Sequence, residues 1–380
     1  MTPSQPPIHV CIATGQNAAN LIPLEQLDAR EVWILQTSAM RIGASHLKKA
    51  LQREGRVVQR IDFDDSSPEA LIKASQALAW KLDGRDVVLH VTGGTKLMVL
   101  ALREELRVLG ASTGVLDTLY VDTSRQQLDW LSARPRTEPM ADVLNLQQML
   151  MVQGYRIDGE SRHVEAQKRA QARAALTRDL GDNASRYARP LRALNWAASA
   201  AARGTDVRDL SQFMKTRPDR GLADLLRQVE ARGLLKWDGE TGIGFTDQPS
   251  AAYLCGGWLE EFVLLKLTGL VRPGRFSSNL HVVAADGGVP NEIDAMVIHR
   301  NRALLIECKT SRQDEKTQDR IYKLAQLRDQ LGGSVASALY LSAQTVSAEA
   351  RRRAQEYRVD VLSDHEVSDL VPWLKRWLST

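Results

Sequence analysis

The chain has 380 residues, with 50 Lys+Arg against 46 Asp+Glu for a formal charge of +4, and it is 43% hydrophobic and 25% charged. This is ordinary globular usage, which excludes wholesale disorder, and at ~100–200 residues per domain the length suits two or three domains with cores of their own. Aromatic content of 5% argues against a surface of stacked rings for single-strand binding, and no run approaches the ~18 apolar residues of a membrane span. Cys11, Cys255 and Cys308 lie far apart with no CxxC pair, so they read as reduced thiols of a cytoplasmic protein. The start, MTPSQPPIHVCIA, lacks a basic segment followed by a long apolar one, and no signal peptide is expected.

From residue 1 to 139, short apolar runs alternate with amphipathic stretches. Ile8–Ala13, Val32–Gln36, Val57–Ile61, Val87–Val91 and Val115–Val121 are rich in β-branched residues; Ala44–Glu54, Pro68–Leu82 and Lys96–Leu109 lie between them. The rhythm predicts a parallel sheet with helices on both faces, a Rossmann-like α/β domain. Pro68 suits a first helical turn and Gly110 a helix exit. Three strand ends carry small polar loops: Thr14-Gly15-Gln16-Asn17, Thr37-Ser38-Ala39-Met40-Arg41 and Thr92-Gly93-Gly94-Thr95-Lys96. Glycines there let the backbone approach a ligand, N–H groups at a helix start attract phosphate, and Lys96 adds a positive charge. The spacing is neither GxxxxGK[ST] nor GxGxxG, so Walker and dinucleotide readings are weak. Taken alone, GGTK is equally a tight strand–helix turn. In an open α/β sheet the strand ends gather in one crevice, and three such loops suggest a pocket for phosphate and base.

Around Arg134–Pro139, two prolines and mixed charge mark a boundary. Residues 140–205 read as helical and rich in Ala, Arg and Gln, as in Glu165–Leu176. Two helical patterns follow around 206–247, and then two apolar runs, Gly233–Trp237 and Gly242–Phe245, flank the hairpin signal Asp238-Gly239. Helix, helix, hairpin resembles a winged helix. No basic recognition helix stands out, so residues 140–250 are expected to be a connector or dimerisation module.

From Ala251, a helix at Gly257–Leu267 leads into strands near Asn279–Val283, Glu292–His299 and Arg302–Cys308. A helix at Lys316–Leu331, a strand at Ala336–Leu341, a helix near Ala348–Tyr357 and a strand at Val359–Leu362 follow. Asp294, in Asn291-Glu292-Ile293-Asp294, stands 13 residues before Glu307 of Glu307-Cys308-Lys309. Period-two geometry puts Glu292 with Asp294, and Glu307 with Lys309, on one face of each strand. A hairpin turning at His299–Arg302 brings the two polar faces together. Asp294 and Glu307 then offer hard oxygens to a divalent cation, which would lower the pKa of a bound water and offset the charge of a scissile phosphate. Lys309 would position that water or stabilise the developing charge. An isolated ExK reads as solvated strand charge. Here the apolar Ala303–Ile306 run, the upstream Asp294 and the helix acids of Trp258-Leu259-Glu260-Glu261-Phe262 argue for a site.

The arrangement resembles the PD-(D/E)xK nuclease superfamily, with Ile293 where the superfamily name has its proline. That resemblance implies a restriction-endonuclease-like mixed sheet and metal-dependent phosphodiester hydrolysis. It makes Glu260 the helix acid, with Glu261 as the alternative, Asp294 the central acid, and Glu307 and Lys309 the ExK pair. Mn2+ or Mg2+ would be held by Asp294, Glu307 and the backbone carbonyl of Cys308, whose side chain reads as core. Tyr322, Lys323 and Gln326 would lie beside the site.

The three loops and the NEID…ECK block together resemble CARF-domain (CRISPR-associated Rossmann fold) nucleases of type III CRISPR systems. The resemblance covers both ends of the chain and covers residues 140–250 poorly. It implies a homodimer whose CARF pair shares one cyclic oligoadenylate, the tetra-adenylate ring matching a two-fold axis. Gly93, Gly94, Thr95 and Lys96 would bind ligand phosphates, and Thr14, Gly15, Gln16, Asn17, Thr37 and Ser38 would line the pocket. The expected domains are a CARF sensor at 1–139, a helical, winged-helix-like connector at 140–250 and the nuclease at 251–380. The expected activity is messenger-activated cleavage of DNA, RNA or both in antiviral defence, with no membrane involved. Two alternatives remain: a ligand-gated CARF transcription regulator binding duplex DNA through the middle, and a messenger-independent restriction- or repair-type nuclease. Residues 1–140 carry 16 basic and 16 acidic groups, 141–250 carry 17 and 14, and 251–380 carry 17 and 16. The small positive excess sits mostly in the connector.

Overall fold

The computed structural model describes residues 5–110, 115–132, 134–158, 161–204, 206–310 and 314–380. Seven strands form the first sheet: β1 (Ile8–Ile12), β2 (Glu31–Gln36), β3 (Val57–Asp62), β4 (Val87–His90), β5 (Leu116–Asp122), β6 (Gln127–Trp130) and β7 (Arg136–Pro139). Their order is β3-β2-β1-β4-β5-β6-β7. The first five run parallel, as the alternation predicts. β6 and β7 add an antiparallel edge that sequence reading missed, because these four-residue strands carry Gln, Asp, Arg and Thr in place of an apolar run. Alternate strand residues serve opposite faces. Val10, Ile12 and Leu35 meet helices Pro68–Lys81 and Lys96–Gly110, while Cys11, Val32 and Ile34 meet helices Ala18–Gln26 and Arg41–Leu51.

The next strand, β8 (Tyr155–Asp158), falls in the expected connector. Beyond it come helices Ser161–Ala172, Ala174–Asp182 and Ala184–Arg203, then a small unit with β9 (Ser211–Phe213), helix Arg220–Glu230, β10 (Leu235–Trp237) and β11 (Gly242–Phe245). Its three strands are antiparallel in the order β10-β11-β9, with Gly239 at φ +83° in the Asp238-Gly239 turn. The expected hairpin is present, but of the two helical patterns expected around 206–247 only Arg220–Glu230 forms an α-helix, the other being a short turn at Val207–Leu210. Helix Arg220–Glu230 buries Leu222, Leu225, Leu226 and Val229 and pairs Arg227 with Asp224 at 2.8 Å, so its outer face is mixed in charge.

The last unit carries β12 (Phe276–Ala284), β13 (Asn291–His299), β14 (Arg302–Lys309), β15 (Ala336–Ser342) and β16 (Asp360–Ser363). The sheet order is β16-β15-β14-β13-β12-β8. β8 thus pairs antiparallel with β12, Val282 opposite Ile157, and the boundaries expected at 140 and 250 do not separate connector from nuclease. Only four residues long and half-buried in alternation, β8 is too short to show a period in sequence.

Ala295, Val297, Leu304, Ile306 and Leu339 pack against the connector helices and helix Trp258–Thr268. Met296, Ile298, Ala303 and Leu305 pack against helix Asp314–Gly332 and helix Leu146–Val152. That second core continues through Leu146, Met149 and Leu150 into the first sheet. The N-terminal and C-terminal units therefore share this apolar core.

The β13–β14 hairpin turns on Arg300 and Asn301, both left-handed, at φ +48° and +57°. Asn301 is 1% exposed. Its Oδ1 accepts the N–H groups of Val143 (3.0 Å) and Leu144 (2.9 Å), and its Nδ2 donates to the Ala141 carbonyl at 2.7 Å. The turn thereby anchors the segment leaving the first sheet. Asn301→Ala orphans two amides and puts a Cβ-bearing residue without a local hydrogen bond in the left-handed region, so it should cost ~3 kcal/mol, read as a lower urea midpoint. Asn301→Asp keeps the acceptor for the two amides but loses the donor to the Ala141 carbonyl and buries a charge, so it should recover only part of the loss.

Candidate active site and ligand pocket

The β13–β14 ladder runs from His299–Arg302 up to Ala295–Ile306. One step further a side chain takes over the pairing, and Asp294 Oδ2 accepts the Cys308 N–H at 2.6 Å. The same oxygen lies 3.3 Å from Lys309 Nζ, and Glu307 Oε1 lies 2.5 Å from it. The ammonium is held between two carboxylates. Burial works against the Lys309 charge, but Asp294 and Glu307 outweigh it and raise its pKa above the ordinary value. Glu292, expected on the face of Asp294, is exposed, whereas Asp294 is 7% exposed.

Glu260 stands in the first turn of helix Trp258–Thr268. Burial pushes its carboxyl up to about 8, and Asp294, Glu292 and Glu307 act in the same direction against Lys309. Burial and Asp294 raise Glu307 as well, opposed by Lys309 and Lys323. Glu261 is committed elsewhere: it pairs with Arg173, whose guanidinium lies 4.3 Å over the Tyr253 ring. Of the two helix acids, Glu260 is the one coupled to the strand site. A wide helical turn over Tyr253–Gly257 precedes it, and the Cys255 carbonyl there accepts Asn195 Nδ2 and Thr310 Oγ1. This tether joins connector, helix start and the end of β14, and no sequence motif marked Asn195 or Thr310. Tyr322 and Gln326 are occupied with each other at 2.7 Å, and Tyr322 also lies against Tyr357.

Cys308 packs its side chain in the core, and burial raises its thiol far above the ordinary range. It is therefore no thiolate ligand. Among the described residues no three His, Cys, Asp or Glu side chains converge to cage a cation. Mg2+ is commonly held by one or two carboxylates and its own waters, and Asp294 and Glu307 supply such a pair. Burial first, and the neighbouring Asp294 second, shift Glu260 and Glu307 upward, so their charged forms are poorly solvated. The donor set fits a partly hydrated divalent cation.

In the first sheet the strand order reverses between β1 and β4, the switch point where such folds bind ligands. The loops after both strands meet there around a cavity of about 370 Å3. Thr14, Gln16 and Gly93 line it, as expected. Asn17 is turned inward: its Oδ1 accepts the Thr14 N–H at 3.0 Å and its Nδ2 donates to the Gly43 carbonyl at 3.1 Å. Thr37 is buried, Ser38, Gly15, Gly94, Thr95 and Lys96 are exposed, and none of these six is in the cavity wall. Missed in sequence were Asn20, Thr92, Tyr120–Ser124 and, from the C-terminal unit, Ser334 and Val335. Asp122-Thr123-Ser124 follows a strand end and was open to the rule that found the other loops. Ser334 is brought in by long-range packing: Gln16 Oε1 accepts its N–H at 3.1 Å. A Cβ on Gly93 would meet the Ile12 carbonyl at 2.4 Å. Gly93→Ala should therefore destabilise the chain by ~1–3 kcal/mol, seen as a shifted unfolding midpoint.

Residues 247–380 match the family model of the Card1-like endonuclease domain. No curated protein matches the chain by sequence. Among solved structures, VC1899 from Vibrio cholerae superposes with a TM-score of 0.85 at 22% identity, over 98% of both chains. Can2 from Sulfobacillus thermosulfidooxidans, solved in complex with cyclic tetra-adenylate, gives 0.79 at 21% identity, over 98% of this chain and 99% of its own. A type III CRISPR defence DNA nuclease activated by cyclic oligoadenylate gives 0.56 at 20% identity, over 90% of this chain and 46% of its own. The resemblance read from the loops and the ExK block thus holds: the fold is that of these proteins along nearly the whole chain, and residues 247–380 are similar to Card1-like endonuclease domains.

Proposed function

We propose that the chain is a cyclic-oligoadenylate-activated, divalent-metal-dependent endonuclease acting on DNA, RNA or both. The observation that carries this is Lys309 held between Asp294 and Glu307, beside half-buried Glu260, within the segment matching an endonuclease domain. A bound Mg2+ or Mn2+ would supply an activated water and charge neutralisation at the phosphate. Asp294 and Glu307 would hold it, with the Cys308 carbonyl as a further oxygen. Lys309 steadies the charge that develops on the phosphate oxygens, as a fixed donor in a low-dielectric site.

The ligand reading rests on the switch-point cavity and on likeness to Can2, which was solved with cyclic tetra-adenylate. Gln16 and Gly93, in the cavity wall, would face that ligand, while Lys96, exposed outside the wall at the start of helix Lys96–Gly110, adds positive charge three residues beyond Gly93. A homodimer is favoured by apolar side chains just after two of the loops: Ile42 is 72% exposed, Leu97 65% and Leu100 64%. A two-fold pair would cover them. No described helix is long and apolar enough to cross a membrane. Activation requires that the messenger bind the active arrangement more tightly than the resting one. The test is cleavage of plasmid, single-stranded DNA and RNA with Mn2+ or Mg2+, with and without cyclic tetra-adenylate. Metal- and messenger-dependent cleavage is expected. Cleavage at equal rates with and without messenger removes the activation, and no cleavage of any substrate removes the nuclease.

A further inference from the structure

A cleft of about 510 Å3 lies between the connector and the nuclease sheet, with Glu260 in its wall. On the connector side Ala166, Arg169 and Arg173 line it at spacings of three and four residues, so one face of helix Ser161–Ala172 and its exit look inward. Arg173 is committed to Glu261 and Tyr253. Arg169 is exposed; it acts on Glu261 across the cleft but, unlike Arg173, makes no close ion pair with it. Across the cleft, Asn279 Oδ1 is buried without a partner among the described residues. Ala252 and other small residues on the rim leave space for a polymer backbone.

The chemistry at the far end of this cleft creates a need. Glu260, Glu292, Asp294 and Glu307 act on one another and outnumber the ammoniums of Lys309 and Lys323 that oppose them, and such a site repels phosphodiesters. The nuclease unit is nearly neutral, whereas residues 141–250 hold 17 basic groups against 14 acidic. A guanidinium is the group suited to a phosphate, because its planar fork donates two parallel N–H bonds.

We propose that this cleft is the path by which the substrate strand reaches the carboxylates, and that Arg169 of the connector grips a backbone phosphate there. The inference rests on the nuclease reading and adds that the connector is part of the substrate site. The experiment measures cleavage of labelled single-stranded DNA and RNA by the full-length, messenger-activated chain at several salt concentrations, and anisotropy of the same strands in EDTA. Arg169→Ala should raise KM about tenfold, with kcat nearly unchanged, as for loss of one charge-assisted contact. The slope of log affinity against log salt should flatten by about 0.7, one phosphate of a single strand. Arg169→Lys should restore the slope but not the full affinity, and Arg208→Ala, an exposed connector arginine outside the cleft, should change neither. Wild-type KM and slope in Arg169→Ala, with Glu307→Gln inactive, overturns the cleft assignment and leaves the nuclease standing. A chain that neither binds nor cleaves either strand overturns both.

Discussion

Lys309→Ala is expected to slow metal-supported cleavage by about 10²–10⁴-fold, the range for losing a preorganised charge aimed at a transition state. Ligand binding at the first sheet should be unchanged, because Lys309 lies in β14, outside the cavity at the β1–β4 switch point. Glu307→Gln and Asp294→Asn should be comparably inactive. Asp294 separates chemistry from folding in a useful way. Its carboxylate accepts the buried Cys308 N–H at 2.6 Å, and asparagine keeps an acceptor there while removing the charge. Asp294→Ala leaves that amide unpaired and should also cost ~1–3 kcal/mol of stability. Nicking rates and melting curves on the same variants check both statements, and full activity in Lys309→Ala would sink the catalytic assignment. The site also predicts a pH effect in EDTA. A carboxyl whose folded pKa is raised binds its proton better folded than unfolded, so stability falls as pH rises from the ordinary carboxylate range through about 8 for Glu260. Glu260→Gln should flatten that fall between the ordinary carboxylate range and about pH 8.

Gly333→Ala is expected to release the nuclease from the messenger. Gly333 sits at φ +58°, and a Cβ on it would lie 1.7 Å from Gln16 Oε1. Alanine must expel the Gln16 side chain and lose its bond to Ser334, besides ~1–2 kcal/mol of left-handed strain. Helix Asp314–Gly332 ends at this turn, and along its length Lys323 acts on Glu307. Ser334 and Val335, just beyond that helix, line the switch-point cavity. Loosening the contact should raise messenger-free cleavage and, by reciprocity, tighten messenger binding. Couplings of ~1–3 kcal/mol correspond to about 5–150-fold. Rates without messenger and calorimetric Kd values measure the two sides, and a variant with wild-type values for both removes the turn from the signalling path.

Much of this was legible because chemistry and periodicity coincide in the right places. The parallel strands of the first sheet are apolar runs between amphipathic helices, and β13 and β14 end their apolar runs in Asp294, Glu307 and Lys309. The geometry of Glu260 was harder. Two adjacent glutamates look alike in sequence, and only Arg173, 88 residues upstream, decides that Glu261 is spoken for. The CARF resemblance makes Asn17 a pocket residue, yet its amide is spent bracing its own loop and Gly43. Short polar strands such as β7 and β8 carry no periodic signal, because their formation is driven by the neighbour they pair with.

The placement of β8 has a consequence for any attempt to excise the catalytic unit. The segment matching the endonuclease family begins at residue 247, after β8 has already been laid down at Tyr155–Asp158. A fragment cut there would leave His281–Ala284 without their ladder partners and present a raw strand edge, a template for aggregation. Limited proteolysis between 161 and 250 should therefore yield nicked halves that stay associated, because the sheet is opened by one half and closed by the other.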